Sequence, residues 1–200
     1  MDCQSYGGKI VISFTLSPEP QEFDEKVRQP GIASRLKSSS SRFTDHWKEC
    51  KGELADAFRN LCAYSAMYEP VCTVDHFLST DTHPELAYEW SNYRYAAAWI
   101  NSSKQNDRVL DPFQVEDGWF EILLPSLQLV LTNNVPAEQQ ALSEYTLIRL
   151  HLRDDERVVR QRREWYRMYQ DGELLLVNLE KKAPLIARAI RKQQESAGSV

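Results

Sequence analysis

The sequence predicts an α+β fold, because short strand patterns alternate with longer helical patterns along its 200 residues. Residues 72–74 form a short stretch with β-branched side chains, which favours a strand. Residues 119–132 carry the clearest strand pattern and bend at Pro125, which predicts a β-hairpin. Apolar side chains recur at spacings of seven, four and three over residues 45–62, as on one face of an amphipathic helix.

The segments before residue 45 are short and interrupted by proline. Residues 7–15 predict a strand or an extended arm, and residues 23–27 predict a brief helix that ends at the Pro30-Gly31 pair. Ser38 begins a run of four serines, which is typical of a flexible loop.

The segments after residue 80 predict mainly helices. Residues 81–85 predict a loop, since a residue before proline avoids the helical conformation. A helix is expected from near Tyr93 through Lys104, and the Asp111-Pro112 pair ends that unit. Three further helices are predicted: one that opens at Pro136 and carries Ala141, Tyr145, Ile148 and Leu152 on one face, one over residues 157–170, and one over residues 182–194.

Length and composition predict one globular domain. A hydrophobic content of 42% with 10% aromatics is enough to build a core, which excludes global disorder. No apolar run reaches the roughly 18 residues of a membrane-spanning helix. The start of the chain lacks the basic and apolar stretches of a secretory signal, and four cysteines in a chain of this length do not form a disulfide framework. We therefore expect a cytoplasmic protein with no membrane partner.

Charge is distributed unevenly along the chain. The net charge is −5, which does not by itself indicate nucleic-acid binding. Residues 149–192, however, contain 12 Lys and Arg against 7 Asp and Glu, a local balance of +5, so the remainder carries −10. Such a basic segment can follow a phosphate backbone, or it can be a solvated helix surface with internal ion pairs. The sequence leaves both readings open.

One cluster of residue types suits phosphodiester hydrolysis. Asp75 and His76 are adjacent at the end of the predicted strand, and Asn92, Asn101 and Lys104 follow within about thirty residues. Carboxylate and amide oxygens are ligands for hard divalent cations, and an imidazole can accept a proton from water near neutral pH.

The order of these residues resembles the HNH endonuclease family, whose fold is the ββα-metal unit. The resemblance is closest to the HNH nucleases of bacterial anti-phage systems that accompany retron and Septu ATPases, and it covers roughly residues 18–167. The motifs that carry it are Leu61-Cys62-Ala63-Tyr64, Val74-Asp75-His76-Phe77, Tyr88-Glu89-Trp90-Ser91-Asn92, Asn101-Ser102-Ser103-Lys104 and Leu110-Asp111-Pro112.

The resemblance implies a role for each polar residue. His76 would be the general base that activates water, and Asn92 would brace the loop and orient His76. Asp75 and Asn101 would bind the catalytic cation, Mg²⁺ or alternatively Mn²⁺, which neutralises charge that develops on the phosphate. Position, rather than the resemblance, adds two candidate contacts to substrate phosphate. Lys104 lies three residues after Asn101 on the same helix face, and His83 precedes Pro84 in a loop close to the site, although Lys104 could equally be an ordinary solvated lysine.

The sequence departs from the family at its structural zinc. Relatives carry a Cys-x-x-Cys pair, whereas this chain has Cys62 followed three residues later by Ser65, and Ile100 stands where a cysteine often precedes the last motif. Buried free cysteines are therefore favoured over zinc ligands. A zinc site built from Cys50, Cys62, Cys72 and a histidine stays open as the alternative.

The resemblance predicts an α+β protein with a ββα-metal nuclease unit inside a mainly helical domain, plus the extra hairpin. The expected division is an N-terminal arm and loop (1–44), a nuclease core with the following hairpin (45–132), a helical C-terminal region (133–195) and a frayed tail (196–200). The expected function is metal-dependent cleavage of DNA, with RNA not excluded, in antiviral defence with a partner ATPase or sensor. The competing hypothesis is a non-catalytic interaction subunit with a relic HNH fold, which docks a partner through its helical C-terminus.

Overall fold

The computed structural model describes residues 13–37 and 42–198. Most of the predicted N-terminal arm and all four serines of the predicted loop lie outside these residues. Residues 13–15, the described end of the arm, have no regular secondary structure.

The first helix continues through the Pro30-Gly31 pair, where the sequence predicted its end. A π-helical stretch, Asp24–Arg28, runs directly into α1, Gln29–Lys37. Proline lacks an N–H and its ring crowds the preceding turn, and the wider π turn just before it relieves that conflict. Gly31 packs against the ring of Tyr88, where a Cβ atom would come within 2.5 Å of the ring carbons. Only glycine allows this close approach.

The amphipathic segment forms two short helices rather than one. A 3₁₀ helix, His46–Cys50, leads into α2, Lys51–Ala57. The chain then turns through positive φ values of 56° at both Arg59 and Asn60, which ends the helix. Three of the four apolar side chains that defined the pattern are nevertheless in the core: Leu54, Phe58 and Leu61 are buried, and Trp47 packs against them partly exposed.

The next elements are two antiparallel strands followed by a helix. Strand β1, Cys72–His76, pairs with β2, Tyr93–Ala97, so that Asp75 lies opposite Arg94. Helix α3, Ala98–Lys104, follows β2 without a loop. The strand at β1 is as predicted, but the helix expected from Tyr93 is wrong over its first five residues. All five residues of β2 are buried, so their backbone N–H and C=O groups need hydrogen-bond partners. Pairing with β1 supplies partners to both strands.

The predicted hairpin is confirmed. It consists of β3, Phe120–Leu123, and β4, Gln128–Leu131, which pair antiparallel around a turn that contains Pro125. Leu129 of β4 also contacts the C-terminal region, because its N–H donates a hydrogen bond to the carbonyl of Arg153 at 3.0 Å. The hairpin is thereby joined to the helices that follow.

Four helices form the C-terminal region: α4 (Ala137–Arg149), α5 (Glu156–Gln170), α6 (Leu176–Lys182) and α7 (Pro184–Ala197). The three predicted helices are present, with α6 added before the last. Helix α7 extends into the segment expected to fray, as far as Ala197, while residues 199–200 lie outside the described chain. None of the helices within residues 13–37 and 42–198 combines the length and apolar character needed to cross a membrane.

The predicted apolar face of α4 is wrong. Tyr145 and Ile148 are 43% and 62% exposed, whereas Thr146 and Leu147 are buried. Thr146 is buried because its hydroxyl accepts a hydrogen bond from the N–H of Leu110 at 2.8 Å and donates to the carbonyl of Leu142 at 2.7 Å. A satisfied hydroxyl can occupy a core position that a hydrophobicity pattern assigns to apolar residues.

Arg162 of α5 joins the hairpin to the helices. Its guanidinium is 1% exposed and donates to the carbonyls of Leu127, Leu152 and Arg153 at 2.6–3.0 Å. No acidic side chain among the described residues forms an ion pair with it. Burial lowers the pKa of Arg162 to about 10, so it remains charged at neutral pH and its hydrogen bonds are charge-assisted.

We expect Arg162→Met to lower the free energy of unfolding by about 3 kcal/mol, because it leaves buried carbonyls without donors. The matched control is Arg163→Met on the exposed side of the same helix, which should change stability by less than about 0.5 kcal/mol. Urea denaturation of both variants measures the difference. Equal effects would contradict a special role for the buried guanidinium.

Candidate functional site on the two faces of the β1 and β2 pair

The strand pair separates Asp75 from His76. Successive side chains of a strand point to opposite faces, so two adjacent residues of β1 cannot share one face while the strand continues through both. Asp75 contacts Tyr64 and Lys104, whereas His76 contacts Trp47 and Tyr93. The residues that the sequence placed together therefore form two groups.

On the first face, a backbone carbonyl anchors the imidazole of His76. The Nε2 atom lies 2.9 Å from the carbonyl oxygen of Ala87, which also accepts a hydrogen bond from the Tyr93 hydroxyl at 2.9 Å. A carbonyl oxygen only accepts, so Nε2 must carry the proton and Nδ1 must carry the lone pair. The ring of His76 is held edge-on between Trp47 and Tyr93, at centroid distances of 4.6 and 5.2 Å.

The lone pair on Nδ1 of His76 is available to a proton donor. No described residue forms a hydrogen bond with Nδ1. The side chain of His76 is partly exposed. Burial of the ring lowers the pKa of His76 below its ordinary value, partly offset by the hydrogen bond to Ala87 and by the charge of Asp75. The imidazole is therefore neutral at physiological pH.

Asn92 fixes the loop that connects β1 to β2. Its Oδ1 accepts from the N–H of Leu78 at 2.8 Å, and its Nδ2 donates to the carbonyls of Leu78 and Leu86 at 3.0 and 3.2 Å. The carbonyl of Leu86 directly precedes Ala87, the residue that anchors His76. This buried amide thus holds the two ends of the loop together, the arrangement expected of a bracing residue.

On the opposite face, both oxygens of Asp75 are engaged. Oδ1 accepts from Nζ of Lys104 at 3.0 Å, and Oδ2 accepts from the hydroxyl of Tyr64 at 2.5 Å. Asp75 is 2% exposed and Lys104 is fully buried. Burial, together with the neighbouring Asp75, raises the pKa of Tyr64 well above its usual value, so this hydroxyl stays protonated and donates.

The burial of Lys104 corrects both expectations for this residue. Its ammonium does not face solvent, so in this arrangement it neither contacts a substrate phosphate nor behaves as a solvated lysine. It donates instead to Asp75 and to the carbonyl of His76 at 2.9 Å. Lys104 is the last residue of α3, and these bonds tie that end of the helix to the end of β1.

Asn101 lies on the same face as Asp75 but does not join it. Its Nδ2 donates to Oγ1 of Thr73 at 3.1 Å, and Thr73 precedes Asp75 by two residues on β1. The oxygen donors of Asp75 and Asn101 are of the kind that Mg²⁺ prefers. They do not fit a cation in this arrangement, because an ammonium and a hydroxyl already occupy the two oxygens of Asp75.

The second expected phosphate contact, His83, lies partly exposed in the loop between the strands. Its Nδ1 is 2.9 Å from the hydroxyl of Thr82, and its side chain lines an open cleft of about 410 Å³ with Phe77, Asn106 and Arg108. Phe77 follows His76 directly along the chain. The ring of Phe77 packs against Arg94 and Lys104 on the Asp75 side, and His76 does not line this cleft.

The sequence reasoning missed a second buried ion pair beside Asp75. Arg94, opposite Asp75 in the strand register, forms two parallel hydrogen bonds to Asp111 at 2.9 and 2.7 Å and lies between the rings of Phe77 and Phe113. Asp111 belongs to the Asp-Pro motif that the sequence singled out, but Arg94 fell in a segment predicted as helix. Recognising β2 as a strand would have placed Arg94 beside Asp75.

The cysteines of the proposed zinc alternative are buried thiols. Cys50, Cys62 and Cys72 are free, and burial raises the pKa of Cys50 to about 12. The Sγ of Cys62 accepts a hydrogen bond from the N–H of Ala97 at 3.4 Å, and the thiol of Cys72 lies 3.6 Å from the carbonyl of Glu69. Within the described part of the chain, no group of three or more His, Cys, Asp or Glu side chains is arranged to hold a metal ion.

Comparison with known proteins identified no relative among family models or curated proteins.

Proposed function

We propose that this protein is an HNH-type endonuclease that hydrolyses phosphodiester bonds of DNA with His76 as general base. The observation that carries the proposal is the state of the imidazole. Nε2 is anchored on the carbonyl of Ala87, while Nδ1 forms no hydrogen bond with a described residue, and the His76 side chain is partly exposed. A neutral imidazole with one fixed nitrogen and one free nitrogen is suited to accept a proton from an attacking water.

The metal part of the proposal has weaker support. The family resemblance implies Mg²⁺ or Mn²⁺ at Asp75 and Asn101, but the carboxylate of Asp75 is already paired with Lys104. We therefore assign no chemical step to a cation in the described arrangement. The role in anti-phage defence and the partner ATPase rest on the resemblance alone.

An arginine-rich surface of α5 is proposed to bind the phosphate backbone of the substrate. Six arginines of the C-terminal region form ion pairs: Arg149, Arg153, Arg157, Arg167, Arg188 and Arg191. Arg160 and Arg163 are exposed and form no ion pair with a described residue. Arg157, one turn earlier, lies 4.8 Å from the ring of Trp99 at the start of α3, which connects this surface to the strand pair. Exposed arginines that form no ion pair are available to neutralise phosphates.

The second candidate function is a non-catalytic interaction subunit, which the pairing of Asp75 with Lys104 favours because it removes the metal carboxylate from solvent. Exposed apolar side chains at Leu175 and Val177, at the start of α6, offer a surface for a partner. Incubation with plasmid DNA and Mg²⁺ or Mn²⁺, with and without EDTA and with the genomic neighbour present, separates the two. Metal-dependent cleavage supports the nuclease, and its absence in every condition supports the interaction subunit.

We expect His76→Ala to lower the cleavage rate by at least about 100-fold, since no other group would accept the proton from water. His76→Gln, which can still donate to the carbonyl of Ala87, should be as inactive and keeps the loop anchored. The matched control is His151→Asn, an exposed histidine with a φ of 55°, which should cleave normally. Robust cleavage by folded His76→Ala in the presence of metal would contradict the assignment.

We expect the cleavage activity to persist at pH values somewhat below 6.5, the ordinary pKa of histidine, because burial lowers the pKa of His76. A general base is active when neutral, so activity should fall only as the pH drops through this lowered pKa. Trp47→Ala exposes the ring and should move this acid limb upward, toward pH 6.5. The pH dependence of kcat/KM for both proteins measures the shift, and superimposable acid limbs would contradict it.

We expect the double variant Arg160→Ala, Arg163→Ala to bind duplex DNA more weakly. The slope of log K against log salt concentration should become shallower by about 1 to 2, since each lost phosphate contact removes about 0.9. Arg167→Ala is the control, because Arg167 is already paired with Glu164, Asp171 and Glu173. Fluorescence anisotropy in EDTA measures binding without cleavage, and an unchanged salt slope would exclude this surface.

A further inference from the structure

The ammonium of Lys104 contacts two oxygen atoms of the kind that bind a hard cation. It lies 3.0 Å from Oδ1 of Asp75 and 2.9 Å from the carbonyl oxygen of His76. Carboxylate and carbonyl oxygens are common ligands of divalent cations, which sit closer to them than an ammonium does, at about 2.0–2.6 Å. Nζ of Lys104 therefore occupies the space beside Oδ1 of Asp75 that a metal ion bound to this oxygen and to the carbonyl of His76 would need.

The ion pair of Asp75 and Lys104 is shielded from solvent. Lys104 is fully buried and Asp75 is 2% exposed, and the hydroxyl of Tyr64 covers the second carboxylate oxygen. Separating two buried opposite charges costs more than separating an exposed pair, because each is left in a medium that solvates it poorly. A metal ion cannot reach Asp75 unless the lysine side chain leaves.

We propose that Lys104 is an internal cation that excludes a divalent metal from Asp75, so that the site accepts a metal ion only after the Lys104 side chain withdraws. The inference rests on the proposed nuclease function for its biological meaning. It concerns the regulation of that same site, and it is tested by metal binding without any nucleic acid.

The backbone after Lys104 is strained at Gln105 and is bonded to α4. Gln105 has a φ of 52° and a ψ of −127°, a conformation that is strained for a residue with a Cβ atom and that is found at switch regions. Two bonds tie the same segment to α4. Arg149 donates to the carbonyl of Lys104 at 3.4 Å and pairs with Asp107, which also accepts from the hydroxyl of Tyr145 at 2.7 Å.

These bonds couple the withdrawal of Lys104 to α4. Its outward residues Tyr145 and Ile148 are 43% and 62% exposed, and Tyr145 is itself one of the residues that hold Asp107. A movement of α4 would break the bonds of Arg149 and Tyr145 and would release the end of α3 at Lys104. The strained φ of Gln105 favours such a release, since a relaxed backbone becomes accessible.

The test is the affinity of the full chain for Mn²⁺ alone, measured from the free Mn²⁺ signal in electron paramagnetic resonance. The wild type should bind Mn²⁺ weakly, and Asp75→Asn should leave that weak binding unchanged because the carboxylate is not available. Lys104→Met should bind Mn²⁺ at least tenfold more tightly than the wild type. The double variant Lys104→Met, Asp75→Asn should lose this gain, which assigns the new binding to Asp75.

Two results would overturn the proposal. Tight Mn²⁺ binding by the wild type that Asp75→Asn abolishes would mean that the site is already open. A folded Lys104→Met with the affinity of the wild type would mean that the lysine only stabilises the fold, and its melting temperature would fall without a change in affinity. Lys104→Gln, which keeps a hydrogen-bond donor, replaces Lys104→Met if that variant does not fold. If neither folds, the comparison of wild type with Asp75→Asn decides.

The outcome is separable from that of the proposed function. Cleavage that persists in His76→Ala would contradict the general base but would leave the Mn²⁺ measurements intact. Conversely, an open metal site in the wild type would remove the exclusion by Lys104 and would strengthen the case for a nuclease that is active without a trigger.

Discussion

The antiparallel pairing of β1 with β2 is the constraint on which the rest of the site depends. Because side chains alternate along a strand, the pairing sends Asp75 to one face and His76 to the other. Helix α3 follows β2 directly and packs on the Asp75 face, which brings Lys104 to the carboxylate. The loop between the strands closes over His76 and supplies the carbonyl of Ala87. The face of the strand pair on which a candidate residue lies therefore determines its contacts.

Buried charge gives this small sheet its specificity. Asp75 with Lys104 and Arg94 with Asp111 are two ion pairs whose strand residues lie directly opposite each other, and the first pair is almost fully removed from water. Such pairs contribute little net stability compared with apolar residues of the same size, but losing one partner is costly. The pair of Asp75 with Lys104 links β1 to the helix that follows β2, and a slip of one residue would move Asp75 to the other face and leave Lys104 buried without its partner. The same pairing makes Asp75 unavailable to a metal ion.

The part of the fold that is local could be predicted from the sequence. The strand at residues 72–74, the hairpin around Pro125 and the helices after Pro136 follow from β-branching, turn residues and periodicity. The failures have a common cause. Residues of β2 and the buried face of α4 take their conformation or burial from contacts with distant segments, namely β1 for Tyr93 and Leu110 for Thr146. Short windows of sequence contain no information about such partners.

The sequence by itself determined which chemical groups are available: an imidazole, a carboxylate, two amides and a lysine in the order that resembles the HNH family. Tertiary structure alone decided what each group touches. It gave His76 a fixed proton on Nε2, it gave Asn92 three backbone bonds across the loop, and it buried Lys104 against Asp75. The physical reason is that protonation and metal access depend on burial and on hydrogen-bond partners, which come from residues far away in the chain.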